Sequence, residues 1–456
     1  VRNAVSKRYS KVIALIVISL VVNNEPSIAQ TETSKTHDHS MPMRGMNMDE
    51  EGAMSSSLSL NLPMSRDGSG TSWQPDESPI MMYSKREGNT WFMFDGTVFL
   101  RYTSQDVAEQ GDRGGDKFDA PNWMMFMLSQ KLSDKGLLAF LSMFSFDRLT
   151  EGGNGYPLLL QSGESFDGVP LVDRQHPHDL FAELAVAYTH SLTKDLDVTT
   201  YFGFPGEPAL GPVVFMHRLS ASNNPDATLG HHWQDATHIT FGVATFGLRY
   251  KNIKAEGSIF TGREPDENRY DFDKPRFDSY SYRLSVNPNR NFSLQFSQGF
   301  IHSPEAFEPK MDITRTTASM LHAKSLPHEK FIATSLVWGM NHDSRGENLN
   351  SFLAESNLKL APFGIYARYE FVQKDAGELQ LFHFEDPPTF NLNAFTLGAN
   401  KILFTHFNTD LSLGLQSTIN FPDQNLKRIY GSNPLALEVF LKIAPTSIIT
   451  HSTSTL

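Results

Sequence analysis

The sequence contains no cysteine, which removes any disulfide framework and any thiolate metal site. It also has little continuous hydrophobicity. The one apolar run, Val12 to Val22, falls short of the roughly 20 residues a spanning helix needs, and a mean hydropathy of -0.33 is too polar for a bundle of membrane helices. An excess of positive charge is missing as well: the net charge of -12 argues against nucleic acid as a partner. What the chain has instead is 34 Phe and 31 Gly among 456 residues, a composition that suits an aromatic-rich β structure.

The apolar run follows Lys7, Arg8 and Lys11 and precedes the small-x-small site Ser27-Ile28-Ala29. Residues 1–29 therefore read as a secretory signal peptide; the plainer reading is a basic, hydrophobic N-terminus without order. From Gln30 to about Gly88 no periodicity lasts, and the segment is expected to be disordered. It carries His37, His39, Met41, Met43, Met46 and Met48, with Met54 beyond. Imidazoles and thioethers at this spacing suit a soft ion such as Cu(I) or Ag(I), although a low-complexity linker explains the same residues without any ligand.

Strands dominate from Thr90 onward. The stretch 180–193 shows the pattern: Leu180, Ala182, Leu184, Val186 and Tyr188 alternate with Phe181, Glu183, Ala185, Ala187 and Thr189, the period of two that gives a strand two different faces. Sixteen such strands are predicted, at about 90–104, 122–132, 136–147, 180–192, 197–205, 238–250, 253–262, 277–286, 292–302, 313–323, 330–341, 351–360, 364–373, 391–403, 409–421 and 436–443. Short connections (133–136, 193–195, 251–252) alternate with long ones (105–121, 148–179, 206–237, 263–276). Tight turns at one end and long loops at the other are the rhythm of an outer-membrane barrel.

The chemistry leads to the same fold class: all-β, a transmembrane antiparallel up-and-down barrel over residues 89–446, with a polar tail at 447–456. Backbone groups in hydrocarbon must all be paired, so a spanning sheet has to close. One face of each strand is apolar and suits lipid; the other carries Glu183, Arg283, Arg368, Glu370 and Lys442, which suit a wet lumen. Trp91, Tyr102, Trp123, Tyr188, Tyr250, Trp338 and Phe421 near strand ends fit an interfacial girdle. The competing architecture, a secreted sandwich or propeller, does not call for so many strands with apolar exteriors.

Several segments have the character of a family mark: Asp173-Arg-Gln-His-Pro-His-Asp179, Gly206-Glu-Pro-Ala-Leu-Gly-Pro212, Phe215-Met-His-Arg218, Gly230-His-His-Trp-Gln-Asp-Ala-Thr-His-Ile-Thr-Phe-Gly242 and Gly262-Arg-Glu-Pro-Asp266. With them the chain from about Thr90 to Pro445 resembles the porin-like outer-membrane barrels of Gram-negative bacteria. Within that class it resembles an uncharacterised family associated with copper and heavy-metal resistance systems. The resemblance implies an outer-membrane location and contact with its lipid; it implies no established activity. Barrels of this size are often oligomers.

The two loops at 148–179 and 206–237 hold His176, His178, His217, His231 and His232, with His238 at the edge of the next strand and Asp173, Asp179, Glu207 and Asp235 among them. Both loops flank the same pair of strands and are expected to meet over or inside the lumen. A metal site there would use His176, His178, His231 and His232, joined by Asp179 or Glu207, a ligand set for copper or zinc. A purely structural loop network would use the same residues as hydrogen-bond partners.

Three functions are open at this point. The first is a passive channel for small solutes or ions, narrowed by the loops. The second is a metal-binding barrel of the copper type. The third is a lipid hydrolase built on His342-Asp-Ser344-Arg-Gly346, where a histidine stands two residues from a serine.

Overall fold

The computed structural model describes residues 54–381 and 388–447. The segment 1–29 read as a signal peptide, the His37–Met48 cluster and the tail from 448 onward lie outside the described residues.

Sixteen antiparallel strands close into a barrel. They are β1 (Thr90–Gln105), β2 (Asn122–Lys131), β3 (Gly136–Phe144), β4 (Phe181–Thr193), β5 (Leu196–Gly203), β6 (Val243–Tyr250), β7 (Ile253–Phe260), β8 (Ser279–Asn289), β9 (Phe292–His302), β10 (Asp312–Leu326), β11 (Lys330–Asp343), β12 (Asn348–Lys359), β13 (Phe363–Lys374), β14 (Phe390–His406), β15 (Thr409–Phe421) and β16 (Leu435–Pro445). Each pairs with the next in chain order. Closure comes where β16 meets the second half of β1, from Leu437↔Ser104 to Ile443↔Val98, while the first half of β1 pairs with β2.

The alternation read from the sequence sets which way each side chain points. On β8, Tyr280, Tyr282 and Leu284 are 59%, 49% and 44% exposed, whereas Ser279, Ser281, Arg283 and Ser285 are buried. On β13, Tyr366, Arg368 and Glu370 are buried and Ile365 and Tyr369 exposed. A wall that is oily outside and ionic inside is stable only if its outer surface meets lipid. The tight turns gather at the end where β2 meets β3 and β4 meets β5, the long loops at the other.

Three expectations need correction. The sixth strand starts at Val243, not at His238: residues 231–238 coil into two short helical turns, His231–Gln234 and Ala236–His238, which meet backbone needs locally instead of through a ladder. Trp91 and Trp123 do not join a girdle. Trp123 faces the lumen with its ring 4.5 Å from that of His217, and Trp91 packs against the inner apolar core; Tyr188, Tyr250 and Phe421 do lie exposed on the outside.

The third correction concerns residues 54–88, expected to be disordered. They are ordered. A small hairpin pairs Ser55–Ser56 with Ser59–Pro63, a turn follows at Met64–Arg66, and Tyr83–Glu87 pairs with the start of β1. The segment holds because a polar lumen wall supplies its partners. Ser59 Oγ donates to Asp197 on β5 at 2.6 Å, and Arg283 on β8 donates to Thr71 Oγ1 at 2.7 Å. Arg66 Nε donates to Asp76 at 2.6 Å within the segment. Polar composition signals disorder in water; inside a barrel lined with charge it signals a plug.

Candidate functional site: a histidine and carboxylate cluster in the lumen

Both long loops fold inward, and the second, 206–237, is tied to the wall on opposite sides. Ala209 N donates to Ser258 Oγ on β7 (2.7 Å) and Gly211 N to Ser297 Oγ on β9 (2.9 Å). Across the lumen, Arg101 on β1 donates to Asp226 (2.6 Å) and Lys442 on β16 donates to the Ser222 carbonyl (2.6 Å). Between these, Leu229 N donates to Glu370 on β13 (2.7 Å), and the His232 carbonyl accepts from Arg315 on β10 (2.6 Å) and Asn341 on β11 (2.9 Å). Gly339 makes room for this approach, since a Cβ there would stand 2.2 Å from the Trp233 carbonyl oxygen.

Arg218 is the cation at the centre of this plug. It is fully buried and donates to Asp235 (2.9 Å) and to Glu355 on β12 (2.7 Å). Arg368 on β13 completes the group by donating to the second Glu355 oxygen at 3.0 Å. The two guanidiniums and two carboxylates balance in charge, and removing one of them leaves a buried charge uncompensated.

Around that network five imidazoles gather. Ring centroids lie 5.9 Å apart for His176 and His232, 6.2 Å for His176 and His231, 6.3 Å for His176 and His178, 5.3 Å for His231 and His232, 5.1 Å for His231 and His238, and 5.5 Å for His178 and His238. All five residues are buried. Most are oriented through Nδ1. His178 Nδ1 donates to Asp147 (2.6 Å), His231 Nδ1 to Asp235 (2.6 Å), and His238 Nδ1 to the Asp235 carbonyl (3.0 Å). His176 Nδ1 stands 3.2 Å from Glu164. A carboxylate behind Nδ1 fixes the tautomer and leaves Nε2 as the lone-pair nitrogen. The Nε2 atoms of His176, His178 and His238 are buried and make no hydrogen bond, and neither ring nitrogen of His232 makes one.

Burial, with the Arg269 charge and the neighbouring rings, holds His176 well below the usual histidine value. Burial does the same for His238, and it lowers His231 in spite of Asp235. These imidazoles are neutral at neutral pH, the form that binds metals. Burial would raise Asp235, but the hydrogen bond from His231 and the Arg218 charge keep it below the usual carboxylate range.

Of the sequence-predicted ligands, His176, His178, His231 and His232 do come together. Asp179 and Glu207 pair with arginines instead: Asp179 with Arg269 at 3.1 Å and Glu207 with Arg283 at 3.8 Å. The carboxylates that face the imidazoles are Asp147, Asp235, Glu164, Glu264 and Glu305, of which only Asp235 stood out in the sequence. Among the described residues, two groups of three bring possible ligand atoms within 4.8 Å of one another: the more exposed Asp266, Asp271 and Asp273, and the trio His232, Glu264 and Glu305. His232 Nδ1 lies 3.3 Å from Glu264 and 3.7 Å from Glu305. Glu264 is buried, and burial together with the Glu164 charge pushes it up to about 8. Gly163 leaves space for this histidine, because a Cβ there would fall 2.2 Å from His232 Nε2. Glu264 lay within the Gly262–Asp266 motif; nothing local marks Glu305.

The five lumen residues read from the strands all point inward and are buried, and they are engaged there. Glu183 accepts from Tyr201 Oη (2.5 Å), Arg283 donates to Glu256 (3.1 Å), and Arg368, Glu370 and Lys442 hold the plug as described. His217 leaves the histidine group and turns to Met143, and Asp173 accepts from Arg113 (2.9 Å) and Tyr430 (3.1 Å). At the serine motif, His342 Nδ1 meets Asn348 (3.0 Å) and Ser344 Oγ accepts from the Asp312 amide (3.3 Å), so the two side chains are not joined to each other.

No family model matches the chain, and no curated protein does. Among solved structures it is similar to an anion-selective porin from Comamonas acidovorans (10% identity, 79% of this chain and 100% of that one, TM-score 0.45). It is also similar to OmpF of Salmonella typhi in complex with daunomycin (7% identity, 79% and 100%, TM-score 0.48). A third is the outer membrane channel DcaP of Acinetobacter baumannii (9% identity, 80% and 100%, TM-score 0.41). At such scores these likenesses carry nothing about the histidine loops.

Proposed function

We propose that this chain is an outer-membrane barrel that captures a divalent first-row metal ion, copper(II) or zinc(II), on the plug within its lumen. The ion is cargo. The observation that carries this reading is the trio of His232, Glu264 and Glu305, with ligand atoms within 4.8 Å of one another and both imidazole nitrogens lacking hydrogen bonds. Imidazole with two carboxylates suits these ions. Burying such groups without hydrogen bonds is unfavourable, and a divalent ion would offset that cost at the one imidazole nitrogen and the carboxylate oxygens it binds. Glu305, 27% exposed at its side chain, would be the member through which an ion arrives. His176 and His231 flank the trio as neutral imidazoles.

The test is equilibrium dialysis of the full chain in detergent against zinc(II) and copper(II), read as metal per chain. The wild type is expected to keep one ion that the His232→Ala/Glu264→Gln/Glu305→Gln variant loses, with affinity down at least about tenfold. Equal retention by both would remove the proposal.

A second reading, passage of small solutes past the plug, draws on the closed sixteen-strand wall and the charged residues inside it, Glu183, Arg283, Arg368, Glu370 and Lys442. It predicts steady single-channel conductance in a planar bilayer; the capture reading predicts conductance that falls when zinc or copper is added.

A further inference from the structure

On the tight-turn side of the histidines the lumen wall changes character. β1, β2 and β3 present Met93, Met125, Met127 and Met143 inward, each no more than 6% exposed. Met93 faces Met127 across β1 and β2, and Met125 faces Met143 across β2 and β3. The plug closes over them and leaves a cavity of about 90 Å³ lined by Met64, Met81, Met82, Met125, Met127 and Met216. His217 also lines it, with Nε2 3.4 Å from the Met143 sulfur. Burial lowers this imidazole to about 4, which leaves it neutral.

Leucine fills such a wall without leaving a soft donor, and β3 uses Leu137 and Leu141 in that way. Thioether sulfur is a poor hydrogen-bond acceptor but a good ligand for soft ions. Six thioethers and one neutral imidazole line this cavity beside Asp67, Asp95 and Arg218, and the sulfurs are donors that hard divalent ions do not need. The cavity borders a second one of about 70 Å³ through Met81, Asp95, Trp123 and Met216, and the far side of that second cavity includes His176 and His178. The two cavities therefore share part of their lining, and the second is lined on another side by the histidines.

We propose that this pocket is a separate site for a soft monovalent ion, copper(I) or silver(I), held by thioethers from Met125, Met127 and Met216 with the His217 imidazole. It stands whether or not the His232 trio holds an ion.

The probe is silver(I), titrated into the detergent-solubilised full chain carrying Met41→Leu, Met43→Leu, Met46→Leu and Met48→Leu, so that the N-terminal methionines do not compete. One silver per chain is expected, with sulfur in its X-ray absorption shell. Adding Met125→Leu, Met127→Leu and Met216→Leu should weaken silver binding at least about tenfold, the loss that even an outer-shell partner causes, and should leave zinc retention unchanged. The His232→Ala/Glu264→Gln/Glu305→Gln variant should keep its silver. Silver affinity unchanged by the leucine substitutions, or a shell without sulfur in the parent, would overturn the proposal. If the leucine variant does not fold, the shell of the parent decides alone.

Discussion

The inside of this barrel has two sides that hold the same plug by different means. From β7 to β16 the wall offers Ser258, Ser297, Arg315, Glu355, Arg368, Glu370 and Lys442, and the plug is fastened by ion pairs and by backbone groups donating to or accepting from these side chains. Over β2, β3 and the adjoining parts of β1 and β4 the wall offers Met93, Met125, Met127, Leu141, Met143, Ala185 and Ala187, and the plug packs against it, with the bonds from Arg101 on β1 to Asp226 and from Thr189 on β4 to the Leu58 carbonyl at its edges. Hydrogen bonds and buried ion pairs fix a geometry, because each partner left alone is costly. Thioether packing tolerates adjustment. The histidine cluster hangs from the fixed side and the methionine pocket from the adjustable one.

That contrast sets the expected size of each perturbation. The largest should come from Arg218→Ala. It takes the cation from Asp235 and leaves Glu355 with Arg368 alone, both carboxylates being at most 2% exposed at their side chains, and breaking a buried pair in this way costs about 3–5 kcal/mol. The thermal transition of the barrel followed by circular dichroism should fall accordingly; a change no larger than that of a methionine substitution would erase the distinction between the two sides.

Next comes Gly163→Ala. The glycine sits at φ +118°, with His232 Nε2 where a Cβ would go, so strain of roughly 1–3 kcal/mol is expected, with loss of metal retention. Unchanged retention would mean that His232 does not need its present position.

A smaller and pH-dependent effect is expected at Glu207. Burial pushes this carboxyl from 4.5 up to about 8, against the pull of Arg283. The folded chain then holds a proton there that the unfolded chain has released, so the group's stabilising contribution is complete below about 4.5 and is lost as pH rises toward 8. Glu207→Gln stays neutral throughout. Its thermal midpoint should match the wild type in acid and exceed it by a growing margin up to about pH 9; a constant offset would show that the carboxyl does not titrate in that window. Smallest of all is Met143→Leu, a near-isosteric change on the packed side that should cost less than about 1.5 kcal/mol by the same thermal measurement.

The same two sides explain what was legible in the sequence. Strands on the polar side announce themselves: Ser279 to Val286 alternates cleanly because one face meets lipid and the other meets charge. Trp123-Met-Met-Phe-Met-Leu128 does not alternate, because both of its faces are apolar; its direction depends on partners far along the chain, and the inward turn of Trp123 toward His217 has no local signal. The plug segment 54–88 looked structureless because its polar residues find Asp197, Lys254 and Arg283 only after the barrel has closed. The meeting of His176, His178, His231 and His232 followed from two long loops flanking one strand pair. Their carboxylates did not follow, since Asp147, Glu264 and Glu305 come from connections scattered over 150 residues and no local spacing links them.

The claim that a divalent ion binds within the lumen is tested most directly by electron paramagnetic resonance of the full chain loaded with one equivalent of copper(II). The account predicts a single type of copper whose spectrum carries imidazole nitrogen coupling, with that coupling lost in the His232→Ala/Glu264→Gln/Glu305→Gln variant. A spectrum of hydrated copper in the wild type, or one that the substitutions leave untouched, would contradict it.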